Sequence, residues 1–147
     1  MDTQEALPGK IEIRLIKTAC LDQLVSLYKD AGWWKNSYGE SPEFLEGIVA
    51  GSALFAGAFE NNKLIGMGRA LSDQASDAYI QDVAVLKEFQ GRGIGKKIIQ
   101  TLIAGLNAWG VDWIGLVAQP GTTGFYEALG FQLLEGHVPL KLKDRKE

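Results

Sequence analysis

Between residues 11 and 16 the chain reads Ile-Glu-Ile-Arg-Leu-Ile, a near-perfect alternation of apolar and charged side chains. A period of two belongs to a strand with one buried face. The period then changes, because Leu21, Leu24, Val25 and Tyr28 recur at three- and four-residue steps, predicting a helix capped by Thr18 and stopped by Gly32. Ser41-Pro42-Glu43 supplies the hydroxyl, proline and acid of a helix start, so a short second helix carrying Phe44, Leu45 and Ile48 should end near Gly51. Residues 53–59 and 64–71 are apolar runs joined by Glu60-Asn61-Asn62-Lys63, and asparagines tolerate the positive φ of a tight turn, so an antiparallel hairpin is expected. Beyond a polar loop at 72–77, residues 79–86 are dense in β-branched and aromatic types and read as a strand. Ile94, Ile98, Leu102, Leu106 and Trp109 then mark a long amphipathic helix over 93–109. Residues 111–118 predict a further strand, 122–129 a helix stopped by Gly130, and 131–134 with 137–142 a closing pair of strands. Residues 1–9, punctuated by Pro8-Gly9, read as a solvated, flexible tail.

The predicted order is strand, two helices, three strands, helix, strand, helix and two strands. The strand–helix–strand from 79 to 118 should be a parallel, right-handed unit, and the hairpins on either side antiparallel. The expected class is therefore α+β: one domain over 1–147 with a mixed, mostly antiparallel sheet of about six to seven strands flanked by about four helices. Length and composition agree, since 147 residues with 46% hydrophobic and 22% charged suit one globular core. The lone Cys20 leaves no intramolecular disulfide and cannot supply a zinc cluster, so no metal is expected. Fifteen Lys and Arg against eighteen Asp and Glu give −3, which offers no global positive field for a nucleic acid. The first ten residues lack the pattern of a signal peptide and no apolar run reaches the roughly 18 residues of a membrane span, so the expectation is a cytoplasmic protein with no membrane partner.

Glycine is the outlier, 18 of 147 or about 12%, against a usual ~7%. Three of these fall in Gln90-Gly91-Arg92-Gly93-Ile94-Gly95-Lys96-Lys97, between a predicted strand and a predicted helix. A helix start presents about four unpaired N–H groups and the positive end of the dipole, and glycine lets phosphate oxygens approach without meeting a Cβ. A nucleotide-triphosphate loop would need glycine and a hydroxyl where Gln90 and Lys97 stand, and a dinucleotide fingerprint would need glycine at Lys96.

The segment resembles the acyl-CoA signature of the GNAT superfamily of N-acetyltransferases, Gln/Arg-x-x-Gly-x-Gly/Ala, at every specified position. Phe125-Tyr126-Glu127-Ala128-Leu129-Gly130-Phe131 is similar to the family's second landmark, Phe/Leu-Tyr-Glu-x-x-Gly-Phe. The likeness spans roughly residues 11–142 and implies a GNAT-like fold and an acetyltransferase that moves acetyl directly from the thioester of acetyl-CoA to a primary amine of a small molecule or protein. It implies cofactor contacts from Val83, Ala84 and Val85 and from Gln90, Gly91, Arg92, Gly93, Ile94, Gly95 and Lys96, with Tyr126 at the thioester as general acid. A carboxylate should take the amine's proton, with Asp82 first and Glu40 second as candidates. The acceptor segment, residues 32–40, holds Trp33, Trp34 and Tyr38, which suit a cationic amine through cation–π attraction. Where many members carry an asparagine that touches the cofactor arm, this chain reads Gln119-Pro120. A homodimer remains open, and the alternative to catalysis is a GNAT-like domain that binds acyl-CoA without turnover.

Overall fold

A computed structural model describes residues 10–144; the expected tail at 1–9 lies outside the described residues. The chain falls into two units, Met1–Leu116 and Val117–Glu147. In the first, β1 (Ile11–Leu15), α1 (Leu21–Asp30), a 3₁₀ turn (Asn36–Glu40), α2 (Phe44–Gly51), β2 (Leu54–Glu60), β3 (Lys63–Ser72), β4 (Asp77–Val85), a second 3₁₀ turn (Lys87–Phe89), α3 (Ile94–Ala108) and β5 (Trp113–Gly115) follow in order. The second unit contributes α4 (Thr123–Glu127).

The sheet runs β1-β2-β3-β4-β5, antiparallel except for the parallel β4–β5 pair, so the α+β class and the strand–helix–strand unit stand as expected. Asn61 and Asn62 take φ of +52° and +67°, the geometry of a tight two-residue hairpin turn between β2 and β3. Successive residues of β3 point to opposite faces. Met67 packs with Phe55 and Leu64 against Leu24, Leu27 and Tyr28 of α1 and Leu45 and Val49 of α2. Gly66 and Gly68 face α3: a Cβ on Gly68 would stand 2.7 Å from Ile98 Cγ2, so the helix packs almost directly on the strand backbone. Ile94, Ile98, Ile99, Leu102 and Leu106 bury the apolar stripe of α3, as the sequence period predicts.

Three expectations need correction. The described residues form five strands, not six to seven, because 131–134 and 137–142 have no strand partner and stay irregular. Their apolar alternation is present, yet Val138, Leu140 and Leu142 are 73%, 93% and 82% exposed. Period two marks a face that could be buried, and a strand forms only where a neighbour supplies the ladder. The strand expected over 111–118 is cut to Trp113–Gly115 for the same reason. At the start of α1 the N-cap is Cys20 rather than Thr18, and no side chain caps the helix. Cys20 itself is exposed.

Candidate functional site

The middle of the first unit holds an unfinished seam. β4 pairs with β5 only through Asp77–Tyr79, opposite Trp113–Gly115, after which β5 stops while β4 continues to Val85. From Ile80 onward β4 keeps β3 on one side and has no strand on the other among the described residues. An unpaired strand edge offers N–H and C=O groups to whatever lies along it. Val83, Ala84 and Val85 lie in this stretch and are half-buried.

The same stretch is bent. Met67 pairs with Ala84 and Arg69 with Gln81, so Asp82 and Val83 on β4 stand opposite the single residue Gly68 on β3, a β-bulge. Asp82 takes φ +55°, in the left-handed region that costs a residue with a Cβ about 1–2 kcal/mol. Two hydrogen bonds hold it there. Tyr28 Oη donates to Asp82 Oδ2 at 2.8 Å from α1, and Arg69 Nε donates to the same oxygen at 2.9 Å from β3. The Arg69 and Asp82 side chains are 14% and 18% exposed, sheltered enough for the ion pair to be weakly screened. Burial, reinforced by the Asp82 charge, pushes the Tyr28 phenol well above its ordinary value, so this hydroxyl is a fixed donor. Asp82 Oδ1 has no partner among the described residues.

Past Val85 the chain is tied down before it turns into α3. Leu86 N–H donates to the Ile65 carbonyl at 2.9 Å, Lys87 N–H to Asp30 Oδ2 at 2.9 Å, and Gln90 Nε2 to the Val85 carbonyl at 3.0 Å. Gln90, expected at the cofactor, thus spends its side chain on the turn's own geometry. Gly91 and Gly93 follow with φ of +82° and +78°, and a Cβ at either would meet nothing within 4 Å. They are required by backbone conformation and they leave the surface open. Gly93 is the N-cap of α3 and provides no side-chain cap; the first backbone bond back to it is Lys97 N–H to the Gly93 carbonyl at 3.2 Å. The amides of Ile94, Gly95 and Lys96 therefore precede any intrahelical bond and suit an anion. Arg92, Lys96 and Lys97 are exposed around them, Arg92 with its guanidinium 5.0 Å from the centre of the Phe89 ring. Uncapped amides, two left-handed glycines and local cations fit a diphosphate, and the open edge of β4 fits the amide-bearing arm of coenzyme A.

The segment expected to shape an acceptor site, residues 32–40, is less simple than its composition. Trp33 packs edge-on against Tyr28 at 5.7 Å, and Trp34, Tyr38 and Phe44 form a chain of ring contacts at 5.3 and 4.7 Å. Lys29 Nζ lies 5.3 Å from the centre of the Trp34 ring and Lys35 Nζ 5.9 Å from that of Tyr38, so the chain's own lysines already take up cation–π positions there. Glu40 ends the 3₁₀ turn and is exposed.

In the second unit Tyr126 sits on α4 between Phe125 and Phe131, with ring centroids at 4.9 and 5.8 Å. Phe125 is exposed, and Tyr126 and Leu129 are half-buried. Gly130 at φ +104° lets Phe131 N–H reach back to the Tyr126 carbonyl at 3.1 Å, which fixes Phe131 against the ring. Burial pushes the Tyr126 phenol up, and its hydroxyl has no partner among the described residues. His137 is in irregular chain rather than a strand, with Nδ1 2.9 Å from the Glu135 carbonyl. Among the described residues no group of three or more His, Cys, Asp or Glu is placed to hold a metal ion, and no helix is long and apolar enough to cross a membrane.

Continuity of the chain brings Asp82, Val83–Val85 and Gln90–Lys96 into one run from bulge to helix start. Sequence reasoning missed Tyr28 and Arg69. Arg69 carried a signal, being the one cation inside the apolar run 64–71, while Tyr28 was absorbed into the apolar face of α1.

A family model described as acetyltransferase (GNAT) family matches residues 21–131. An uncharacterized N-acetyltransferase, ycf52, of Pyropia yezoensis is 35% identical over 115 residues, 78% of this chain and 66% of that protein, so the matched part spans just under two thirds of that relative. Among solved structures, a GNAT-family acetyltransferase from Streptococcus pneumoniae superposes with a TM-score of 0.78 at 24% identity, over 92% of this chain and 99% of that one. An N-acetyltransferase from Thermoplasma acidophilum, solved in complex with coenzyme A, superposes at 0.68 with 22% identity, over 84% of this chain and 90% of that one.

Proposed function

The chain belongs to the GNAT family of acetyltransferases, and we propose that it transfers acetyl from acetyl-CoA to a primary amine of a small molecule or protein. One observation carries the reading: an uncapped helix start, preceded by two left-handed glycines, stands at the end of a strand whose outer edge is open. Amides of Ile94, Gly95 and Lys96 would hold the pyrophosphate, with Arg92, Lys96 and Lys97 adding charge. Backbone groups of Val83, Ala84 and Val85 would hold the pantetheine arm as an added strand does. Bound acetyl-CoA supplies an acetyl group already activated as a thioester.

The chain's own residues then have two proton tasks. An alkyl ammonium with pKa near ~10.4 must lose a proton before it can attack. Glu40 and Asp82 are the carboxylates proposed to take it, through water. Asp82 has only Oδ1 uncommitted, while Glu40 is exposed. Tyr126 is proposed as general acid from its motif position, and the upward push from burial supports it, since a phenol that keeps its proton can give one. Trp33, Trp34 and Tyr38 are proposed to shape the acceptor site, with Lys29 and Lys35 standing where a cationic acceptor would compete.

Thiol release from acetyl-CoA across a panel of amines tests the reading. Turnover should depend on the acceptor, and Tyr126→Phe should lower kcat by roughly 10²–10⁴-fold. The Tyr126-dependent rate should hold as pH climbs to the ordinary phenol value of 10.0 and fall only above it, because the folded value is raised. Tight coenzyme A binding with no turnover on any amine would instead favour the silent acyl-CoA-binding alternative, to which the lysine-covered rings lend support.

A further inference from the structure

We propose that Tyr28, Asp82 and Arg69 form a strut that positions β4 for acetyl transfer, with Tyr28 and Arg69 as positioning residues that touch neither donor nor acceptor. The inference rests on the reading that acetyl-CoA lies along β4, and it adds what keeps that edge in shape. Asp82 is the left-handed residue of a β-bulge in a central strand, and nothing in an aspartate favours that conformation enough to hold it unaided. Its Oδ2 is gripped from two independent elements, by Tyr28 across 54 residues of sequence and by Arg69 across 13. Tyr28 is itself rooted in the cluster of Leu24, Leu27 and Met67.

The other side of the bulge is closed. Gly68, the single residue opposite Asp82 and Val83, has Ile98 of α3 against it, and a Cβ there would also stand 3.4 Å from Val83 Cγ2. The bulge is therefore set from both faces of the sheet. What it sets is the direction of Val83–Val85, in the part of β4 that has no β5 partner. Of the two carboxylates proposed as base, this leaves the amine's proton to Glu40, because the Asp82 carboxylate acts through its own backbone.

Substitutions at Asp82 separate a strut from a chemical role. Glycine adopts φ +55° freely and asparagine tolerates it better than other side chains, whereas alanine does neither. The strut requires kcat to fall in the order Asp82→Asn, Asp82→Gly, Asp82→Ala, with the alanine variant about 10-fold or more below the glycine variant. Tyr28→Phe and Arg69→Met should lower kcat several-fold while the shape of the pH–rate profile stays unchanged. Equal loss in all three Asp82 variants, or loss of the acidic limb of the profile in Asp82→Asn, would overturn it in favour of direct chemistry.

Hydrogen exchange on the wild type, Tyr28→Phe and Asp82→Gly supplies a readout independent of turnover. Amides of residues 83–85 should exchange about 10-fold faster or more in Tyr28→Phe, while those of 77–79, paired on both sides, should not change. Unchanged exchange at 83–85 overturns the strut whether or not the protein turns over. If wild type fails to bind coenzyme A while the exchange difference appears, the acetyl-CoA reading falls and the strut stands as the device that holds β4.

Discussion

Both units of this chain carry apolar alternation, and they treat it differently. In the first, Phe55, Leu64, Met67, Ile98 and Leu102 are fully buried; in the second, between 117 and 144, no described residue is buried. The contrast teaches that a period of two is a request for a partner. β2 and β3 receive one on both sides, whereas 137–142 receives none and its three apolar side chains stay in water. Function, on our reading, draws on both: a rigid bulge and helix start in the first unit, and Tyr126, held by its own neighbours Phe125 and Phe131, in the second.

The largest effect should come from emptying the first core. Phe55→Ala should cost ~3–5 kcal/mol in urea unfolding, while Leu140→Ala, at a side chain 93% exposed, should stay within about 0.5 kcal/mol. Comparable losses at the two sites would show that 137–142 is packed in solution and would erase the contrast. Next comes overfilling: Gly68→Ala places a methyl 2.7 Å from Ile98 Cγ2 and should cost ~1–3 kcal/mol, read from the same melts, whereas Gly124→Ala, with nothing within 4 Å, should be nearly silent.

Much of the first unit was legible because local signals and tertiary partners agreed. Asn61-Asn62 demanded a hairpin turn and β2 and β3 had faces to bury; Ile94 to Leu106 demanded a helix and Gly66 and Gly68 made room for it. The glycine turn was legible from its spacing, and the structure added the reason for Gln90, whose amide ties the turn to Val85. The bulge was not legible, since positive φ at an aspartate is imposed by Tyr28 and Arg69, residues distant in sequence. Lysines over Trp34 and Tyr38 were invisible for a different reason, since these pairs are local and depend on how the loop folds. The closing strands did not form because pairing is a property of two segments, and the alternation in 131–142 does not specify a partner.

A smaller effect belongs to the turn before α3. Gly93→Ala meets no steric obstacle, so its cost is the left-handed backbone alone, ~1–2 kcal/mol in unfolding free energy, accompanied by weaker coenzyme A binding. A much larger loss of stability would mean the turn is packed rather than open. The smallest concerns the β3–β4 loop, where Asp73 Oδ1 accepts N–H groups of Ser76, Ala75 and Asp77. These bonds, led by that from Ser76, hold the Asp73 carboxyl below its ordinary 3.8. A lowered folded value means the contribution is full above 3.8 and fades as pH falls through the folded value. The stability gap between wild type and Asp73→Asn should accordingly narrow below pH 3.8. A gap that stayed constant with pH would remove the ionised carboxylate from the explanation.

The most direct measurement is isothermal titration of the wild type and of Gly93→Val with coenzyme A and acetyl-CoA. One saturable site for both ligands in the wild type, absent in the valine variant with its unfolding transition retained, is the expected result. No heat with the wild type, or undiminished affinity in Gly93→Val, would contradict the claim that the amides beginning α3 hold the pyrophosphate.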